Sequence, residues 1–184
     1  FYIKIILFLM INFPKSINRV LITGGSGFIG GTLVRKLLKE TSLKIFNLDK
    51  LGYASNLDNL KKQFGNDRYQ LLKVDLYNIN PTKEVIKSIK PDLIFHLAAE
   101  SHVDRSINGP RLFLESNIIG TFNLLEAVIP YWELLSSSRK DSFRFIHVST
   151  DEVFGSLGPN GYFTEDSPYN PSSPYSSTKA ASDH

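Results

Sequence analysis

The 184-residue chain contains no cysteine, one methionine, one tryptophan and no apolar run long enough to span a bilayer. The absence of cysteine excludes a disulfide framework and a thiolate metal site, and it fits the reducing environment of the cytoplasm, where we expect the protein. The longest apolar stretch, residues 1–13, is broken by Lys4 and Asn12. A membrane-spanning helix takes about 20 residues, so we expect no membrane partner.

The chain also lacks a large excess of either positive or negative charge. The chain carries 21 Lys and Arg residues against 18 Asp and Glu residues, which gives a net charge of +3. The basic residues are scattered rather than clustered, so we expect no nucleic-acid partner, whereas a small basic surplus suits a substrate that carries a diphosphate. Apolar residues make up 42% of the chain, which is typical of a globular domain.

The two ends of the chain are expected to lie outside a complete fold. The chain begins with Phe1 and its only methionine is Met10, so residues 1–17 are interpreted as a non-native or disordered extension. The last residues continue a helical pattern to the end of the chain. We therefore expect residues 18–184 to form one dinucleotide-binding domain of a longer protein whose C-terminal substrate domain is absent here.

A glycine-rich turn organises the first part of the domain. The apolar run Val20–Ile22 is typical of a buried strand, and it leads into the segment TGGSGFIG at residues 23–30. Gly25, Gly27 and Gly30 have G-x-G-x-x-G spacing, and an amphipathic helical pattern follows them. Such a turn needs glycine for positive φ, for close approach of a pyrophosphate and for helix–strand packing. An ordinary strand–helix turn is the alternative, and the context disfavours it.

Strands alternate with helices along the rest of the chain. The predicted strands are 20–22, 44–48, 69–74, 93–97 and 143–149, and helices are predicted after the glycine turn and from Pro81, Pro110 and Pro174. This alternation predicts an α/β fold, a Rossmann-type doubly wound parallel sheet that is truncated before its last strands. Ligands of such sheets bind at the carboxyl ends of the strands.

The long helix predicted over residues 110–131 carries an excess of apolar residues. One apolar stripe consists of Leu114, Ile118, Phe122, Leu125 and Ile129. Three further apolar residues, Phe113, Ile119 and Leu124, lie off that stripe. We therefore expect a second surface to cover this helix.

Two acidic residues end predicted strands. Asp49 follows Gly30 at the distance where a dinucleotide fold places the acid that binds the ribose hydroxyls, although a turn-forming aspartate would look the same. A carboxylate there repels a 2′-phosphate, so NAD is expected rather than NADP. Asp75 either binds the adenine amino group or caps a turn.

A second group of candidates indicates redox and acid–base chemistry. Tyr175 and Lys179 form Y-x-x-x-K on one helical face, where an ammonium lowers the pKa of a phenol toward that of a useful base. Thr150, Asp151 and Glu152 follow the fifth predicted strand. The alternatives are a surface tyrosine with a solvated lysine, and an acidic loop start. His96 and His147 lie in apolar strands and are interpreted as core residues.

These segments resemble the extended short-chain dehydrogenase/reductases, and among them the dTDP-glucose 4,6-dehydratase family. TGGSGFIG is shared across the superfamily, whereas AAESHVDRS at 98–106, STDE at 149–152 and PSSPYSSTKAASDH at 171–184 are specific to the dehydratases. The chain departs from the family at Gly52, at Phe154 and in a shorter loop over residues 155–171. The resemblance covers the chain from about residue 19 onward.

The resemblance implies NAD as cofactor and a role for each matched residue. The residues implied to hold the cofactor are Gly24, Gly27, Phe28, Ile29 and Gly30 at the pyrophosphate, Asp49 and Lys50 at the adenosine ribose, Asp75 and Leu76 at the adenine, and Leu97, Ala98, Ala99 and Ser116 along its length. The residues implied to act on the substrate are Ser101 and Thr150 as contacts, Tyr175 with Lys179 as the oxidation base, Asp151 as the acid and Glu152 as the base of elimination. No metal is implied.

The implied activity converts dTDP-glucose to dTDP-4-keto-6-deoxyglucose by oxidation at C4, loss of water across C5–C6 and return of the hydride to C6. A nucleotide-sugar 4-epimerase is the nearest alternative, since it needs the Tyr175–Lys179 pair but not Asp151 and Glu152. A non-catalytic NAD-binding fragment is the other. For the full-length protein the resemblance implies a homodimer.

Overall fold

The computed structural model describes residues 13–184, and at its centre is a parallel five-stranded sheet in the order β3-β2-β1-β4-β5. The strands are β1 (Arg19–Thr23), β2 (Lys44–Asp49), β3 (Tyr69–Lys73), β4 (Leu93–His96) and β5 (Arg144–His147). All four strand pairs are parallel. The predicted Rossmann-type sheet is therefore confirmed, and each observed strand lies within two residues of its predicted ends.

Helices cover both faces of the sheet, as a doubly wound fold requires. They are α1 (Phe28–Glu40), α2 (Ile79–Ile89), α3 (Val103–Asn108), α4 (Pro110–Glu133), α5 (Ser137–Ser142) and α6 (Pro174–Asp183), with short 3₁₀ turns at Leu57–Gln63 and Asp151–Phe154. One core cluster joins α1 to β1, and a second joins α2 and α4 to the opposite face. The short polar helices α3 and α5 were not predicted, because neither carries an apolar periodicity.

The fold begins earlier than residue 18. Ile17 is buried in the core cluster beneath α1, and Phe13 packs against that cluster. The backbone N–H of Ile17 donates to the carbonyl of Pro14, which closes a turn before β1. Residues 13–17 thus pack with the fold and are not a disordered extension, while residues 1–12 lie outside the described part of the chain.

The long helix α4 presents the predicted apolar stripe to the outside. Leu114, Phe122 and Ile129 are exposed, whereas the off-stripe residues Phe113 and Leu124 are fully buried. The inner face also carries three buried polar residues, Asn117, Thr121 and Asn123. Because hydrogen-bonded polar side chains take up inward positions, the more continuous apolar pattern falls on the outer face. A π-helical segment, Leu114–Ile119, further shifts the angular register.

Among the described residues, α4 is the one helix whose length and composition would allow it to cross a membrane. Nearly half of its most apolar window, 44%, is buried inside the fold. Packing against α2 and the sheet thus accounts for part of its apolar character, and the exposed outer face accounts for the rest.

The connection over residues 155–173 contains no helix or strand, as its Gly, Pro and Ser content predicts. The connection leads into α6, whose N-terminus is well capped. Ser173 is the N-cap and accepts from the backbone N–H of Ser176, whose side chain bonds back in a capping box, and Pro174 follows the cap. This arrangement fixes the first turn of α6, which carries Tyr175.

Candidate functional site

A cavity of about 470 Å³ opens at the carboxyl ends of the strands, above β1 and its neighbours. Its volume is in the range of small-molecule sites. Every residue that the sequence analysis assigned to cofactor or substrate contact lines it, and so do Tyr175 and Lys179. Asp151 and Glu152 do not line it, although Thr150 beside them does.

The glycine turn forms the floor of this cavity, and its backbone packs too closely against neighbouring backbone to leave room for side chains. Gly24 has φ of +70°, and a Cβ there would lie 2.8 Å from the backbone N and Cα of Ala98. A Cβ on Gly30 would collide with the carbonyl oxygen of Gly24. These two positions therefore need glycine for conformation and for close packing of α1 against the turn.

The N-terminus of α1 faces the cavity with its backbone donors uncapped. Gly27 is the N-cap and supplies no side-chain acceptor, and the first turn holds no acidic residue. Phe28 is 87% exposed and lines the cavity together with Ile29. Free N–H groups and the positive end of the helix dipole together provide the chemistry of a pyrophosphate site.

Asp49 ends β2 as a buried carboxylate with a fixed orientation. It accepts hydrogen bonds from the backbone N–H groups of Ser26 at 2.9 Å and Leu51 at 2.8 Å, and from the Ser55 hydroxyl at 2.8 Å. An ionised carboxylate offers about four acceptor sites, so capacity remains for a ligand hydroxyl. Leu51 has φ of +59°, a conformation that turns the loop back toward this carboxylate.

Asp75 caps a turn, as one of the two predicted alternatives has it, and it also lines the cavity. Its Oδ1 atom accepts from the backbone N–H of Tyr77 at 3.0 Å, which caps a turn after β3, and the residue also lines the cavity. The structure therefore places it where it could contact a ligand while it holds the turn.

A buried glutamate that the sequence analysis missed, Glu100, pairs with Lys50. The Lys50 Nζ atom lies 2.8 Å from the Glu100 Oε1 atom, and the bridge connects the segment after β2 to the segment after β4. A cation–π contact joins the same segments, since the Arg105 guanidinium lies 3.5 Å from the ring centroid of Tyr53. Lys50 thus lines the cavity while its ammonium is already paired with the Glu100 carboxylate.

Asn117, in the π-helical segment of α4, ties this region to α6. Its Oδ1 accepts from the backbone N–H of Glu100 at 2.8 Å, and its Nδ2 donates to the Glu100 carbonyl at 2.9 Å and to the Thr178 hydroxyl at 3.0 Å. The Thr178 hydroxyl in turn donates to the carbonyl of Tyr175 at 2.7 Å. One buried amide therefore fixes α6 relative to the loop after β4.

Tyr175 and Lys179 lie one turn apart on α6, and both are buried. The Tyr175 backbone N–H donates to the Ser106 hydroxyl at 3.1 Å, and its ring packs edge-on against Phe113. The Lys179 Nζ donates to the carbonyl of Val148 at 2.8 Å. Burial lowers the pKa of Lys179 to about 8, against the opposing effect of Asp183. An ammonium held this way can stabilise a neighbouring phenolate.

Asp151 and Glu152 lie at the rim of the cavity rather than inside it. They begin a 3₁₀ turn whose N-cap is Thr150, and the Thr150 hydroxyl accepts from the backbone N–H of Glu152 at 3.3 Å. Both carboxylates are exposed. Their adjacency to Thr150 places two carboxyl groups within one turn of a cavity-lining hydroxyl.

The two strand histidines differ. His96 is a core residue as predicted, since its Nδ1 pairs with the Thr23 hydroxyl at 2.6 Å and its Nε2 with the Thr121 hydroxyl at 2.9 Å. The interpretation of His147 as a core residue is wrong. It is partly exposed, and its Nε2 lies 3.0 Å from the Asp183 carboxylate. Its position in an edge strand, which the sequence does not reveal, explains the difference.

Comparison with known proteins places the chain in a family. The family model for GDP-mannose 4,6 dehydratase matches residues 21–184. The chain is 52% identical over 166 residues to the probable dTDP-glucose 4,6-dehydratase of Sinorhizobium fredii and 49% identical to the dTDP-glucose 4,6-dehydratase of Haemophilus influenzae. These matches cover 90% of this chain but 47% and 49% of the relatives. The chain thus spans about half the length of the curated relatives it matches.

Solved structures agree with the sequence relatives. The dTDP-glucose 4,6-dehydratase of Streptomyces venezuelae with NAD bound has a TM-score of 0.79 and 39% identity, over 90% of this chain and 49% of that one. The UDP-glucose 4-epimerase of Thermus thermophilus with NAD has a TM-score of 0.76 and 31% identity, over 90% and 49%. The chain belongs to the GDP-mannose 4,6 dehydratase family, and within it the chain is more similar to these dTDP-glucose 4,6-dehydratases than to the epimerase.

Proposed function

We propose that the chain is the NAD-binding and catalytic half of a dTDP-glucose 4,6-dehydratase. The observation that carries the proposal is one cavity that unites the glycine turn, Asp49 and the Tyr175–Lys179 pair, with Asp151 and Glu152 at its rim. The relatives that share about half of its residues carry this name. The uncapped N-terminus of α1, which lines the cavity beside the glycine turn, fits a pyrophosphate.

Each of these residues has its own role in the proposed reaction. The glycine turn and Asp49 would hold NAD, which would supply a reversible hydride acceptor for the sugar. Tyr175, with the Lys179 ammonium beside it, removes the C4 hydroxyl proton, and the resulting ketone acidifies the proton at C5. Glu152 removes the C5 proton, and Asp151 protonates the departing C6 hydroxyl so that it leaves as water. Thr150 and Ser101 line the cavity where the sugar would lie.

Incubation of the chain, completed to the length of its relatives, with dTDP-glucose and NAD tests the proposal. We expect a 4-keto-6-deoxy sugar that has lost its C6 oxygen. A product that keeps the C6 oxygen and differs from dTDP-glucose only in configuration at C4 would instead identify a 4-epimerase, which the Tyr175–Lys179 pair alone could support.

The open edge of the sheet supports the expectation that another segment completes the protein. β5 forms one edge, and the side chains of Phe145 and Ile146 are only partly buried, whereas all of β4 is buried. We propose that further strands and a substrate domain cover this edge in the whole protein. The 184-residue chain alone is then expected to bind NAD weakly and not to turn over the sugar.

We expect the completed protein to bind NAD more tightly than NADP. Asp49 is buried, and hydrogen bonds from Ser26, Leu51 and Ser55 hold it in place, so it cannot swing away from a 2′-phosphate. Calorimetry with each dinucleotide gives the two dissociation constants. A dissociation constant for NADP equal to or lower than that for NAD would contradict the assignment of Asp49 to the ribose.

We also propose that the whole protein is a homodimer and that the outer face of α4 forms the interface. This face exposes the apolar side chains Leu112, Leu114, Ile119, Phe122 and Ile129 on one helix. An apolar surface of this extent is typical of an interaction site. The resemblance described above implies the same oligomer.

Phe122→Glu is expected to convert the dimer to a monomer, because Phe122 is 58% exposed near the middle of that face. A charge at the centre of an apolar interface is costly to bury. Light scattering at micromolar concentration reports the mass. Leu134→Glu is the matched control, since Leu134 is also apolar and is even more exposed, at 88%, but follows the end of α4. A monomeric wild-type protein, or equal dissociation by both variants, would contradict the proposed interface.

A further inference from the structure

The ion pair between Lys50 and Glu100 joins the loop after β2 to the loop after β4. Lys50 directly follows Asp49, and its ammonium lies 2.8 Å from the Oε1 atom of Glu100. Both members of the pair line the cavity. In the order β3-β2-β1-β4-β5, the strands β2 and β4 lie on either side of β1. The Lys50 side chain therefore reaches past β1 toward β4 and away from β3.

The Glu100 carboxylate has little access to water, and its backbone is held in place. Its side chain is 8% exposed. Its backbone N–H donates to the Asn117 side-chain amide at 2.8 Å, and its backbone carbonyl accepts from the same amide at 2.9 Å. A buried carboxylate is costly without a cation beside it. Glu100 therefore keeps the Lys50 ammonium on the side of β4.

Gly52 leaves the room through which the Lys50 side chain passes. A Cβ at this position would lie 3.3 Å from Lys50 Cε and 3.8 Å from Lys50 Cγ. The φ angle of Gly52 is not positive, so the backbone conformation does not call for glycine. This is one of the positions at which the chain departs from the family it resembles. The missing side chain at Gly52 thus favours the path of Lys50 toward Glu100.

Lys50 is the basic residue next to the carboxylate assigned to the adenosine ribose. Among the described residues that line the cavity, the basic ones are Lys50 and Lys179, and Lys179 is held against the loop after β5. Arg105 stacks on Tyr53 and does not line the cavity. In dinucleotide-binding folds, a basic residue near this acid accommodates a 2′-phosphate. A free Lys50 ammonium would therefore offset the repulsion between Asp49 and that phosphate.

We propose that Glu100 is a second determinant of cofactor choice, which withholds the Lys50 ammonium from a 2′-phosphate and so adds to the preference for NAD over NADP. A 2′-phosphate could recruit Lys50 only by leaving the Glu100 carboxylate buried without its cation. Asp49 repels the phosphate directly, whereas Glu100 acts through Lys50 and is a positioning residue. The inference rests on the proposed function, because it requires a dinucleotide whose adenosine ribose lies at Asp49.

The test is Glu100→Gln in the completed protein, with the dissociation constants for NAD and NADP measured by calorimetry. Glutamine keeps the size of the side chain but needs no cation, so Lys50 becomes free to contact the 2′-phosphate. We expect the ratio of the NADP constant to the NAD constant to fall by about tenfold, the effect of one hydrogen bond to a charged group. Any effect of the lost charge on the pyrophosphate is common to both dinucleotides and cancels in the ratio.

Two further variants show whether Lys50 carries the effect. Glu100→Gln combined with Lys50→Met has the same net charge as the wild-type protein, and its ratio should return to the wild-type value. Glu84→Gln is the matched control, because Glu84 pairs with Lys87 at 3.1 Å on the exposed surface of α2 and neither residue lines the cavity. It removes the same charge as Glu100→Gln and should leave the ratio unchanged.

Three results would overturn the role of Glu100. One is an unchanged ratio in Glu100→Gln, or NADP binding to that variant that is too weak to measure. Another is a lower ratio that persists in the double variant, because Lys50 could not then be its cause. The third is loss of NAD binding by Glu100→Gln, which would show that Glu100 only supports the structure of the site. A wild-type protein that binds neither dinucleotide would instead refute the proposed function.

Discussion

An Asp151→Asn variant of the completed protein is expected to oxidise its sugar at a normal rate and then to stall before water is lost. Oxidation depends on Tyr175 and Lys179, which the change leaves intact. The departing C6 hydroxyl loses its proton donor, and general acid catalysis is worth about 10²–10⁴-fold, so water loss should slow by that factor. Reduced cofactor should accumulate in a single turnover and be measurable by its absorbance.

Two further variants separate the steps. Tyr175→Phe should suppress every step, because nothing proceeds without oxidation at C4. Glu152→Gln should stall after oxidation, as Asp151→Asn does, but it should also lose exchange of the C5 proton with solvent. If both carboxylate variants keep wild-type turnover and the product keeps its C6 oxygen, the dehydratase assignment is wrong.

Gly30→Ala is expected to destabilise the domain and to abolish dinucleotide binding. The added Cβ would collide with the carbonyl oxygen of Gly24 and would lie 2.8 Å from the Cα of Gly25. These are backbone atoms, so the turn itself must move, and overpacking of this kind typically costs about 1–3 kcal/mol. The same movement displaces the N–H groups that face the phosphates. Denaturant unfolding and calorimetry with NAD measure the two effects.

Gly31→Ala is the matched control for that change. It lies next in the same helix, but the nearest atom to its added Cβ is the carbonyl oxygen of Gly25 at 3.5 Å, an ordinary contact. Alanine is favoured over glycine in a helix by about 0.5–1 kcal/mol, so this variant should be slightly more stable and should bind NAD normally. Similar behaviour of the two variants would show that the close packing at Gly30 does not matter.

The sheet could be predicted from the sequence because its determinants are local. Each strand is a short apolar run next to a helix start or a turn, and the alternation of strands and helices restricts the topology to a few parallel orders. Asp49, Asp75 and Thr150 follow strand ends, so their gathering at one edge follows from parallel direction alone. The spacing of Tyr175 and Lys179 likewise needs only a helix.

The rest of the site depends on contacts between distant parts of the chain. Glu100 and Asn117 are 17 residues apart, and Asn117 and Thr178 are 61 apart, yet these three meet in the core. Buried polar pairs of this kind have no periodicity, so no pattern predicts them. The apolar stripe of α4 does not mark its buried face for the same reason, because Asn117 occupies an inward position that apolar periodicity ignores.

The strand order β3-β2-β1-β4-β5 also bears on how the protein folds while it is being synthesised. The five described strands pair with one another, and among the described residues the last one that lines the cavity is Lys179. Chains emerge from the ribosome N-terminus first, so all the strands and cavity-lining residues described above are synthesised before any sequence that follows residue 184. A ligand at 100 times its dissociation constant stabilises a fold by about 2.7 kcal/mol. Because this stretch alone is expected to bind NAD weakly, such stabilisation should reach the nascent protein only after the downstream sequence has been added.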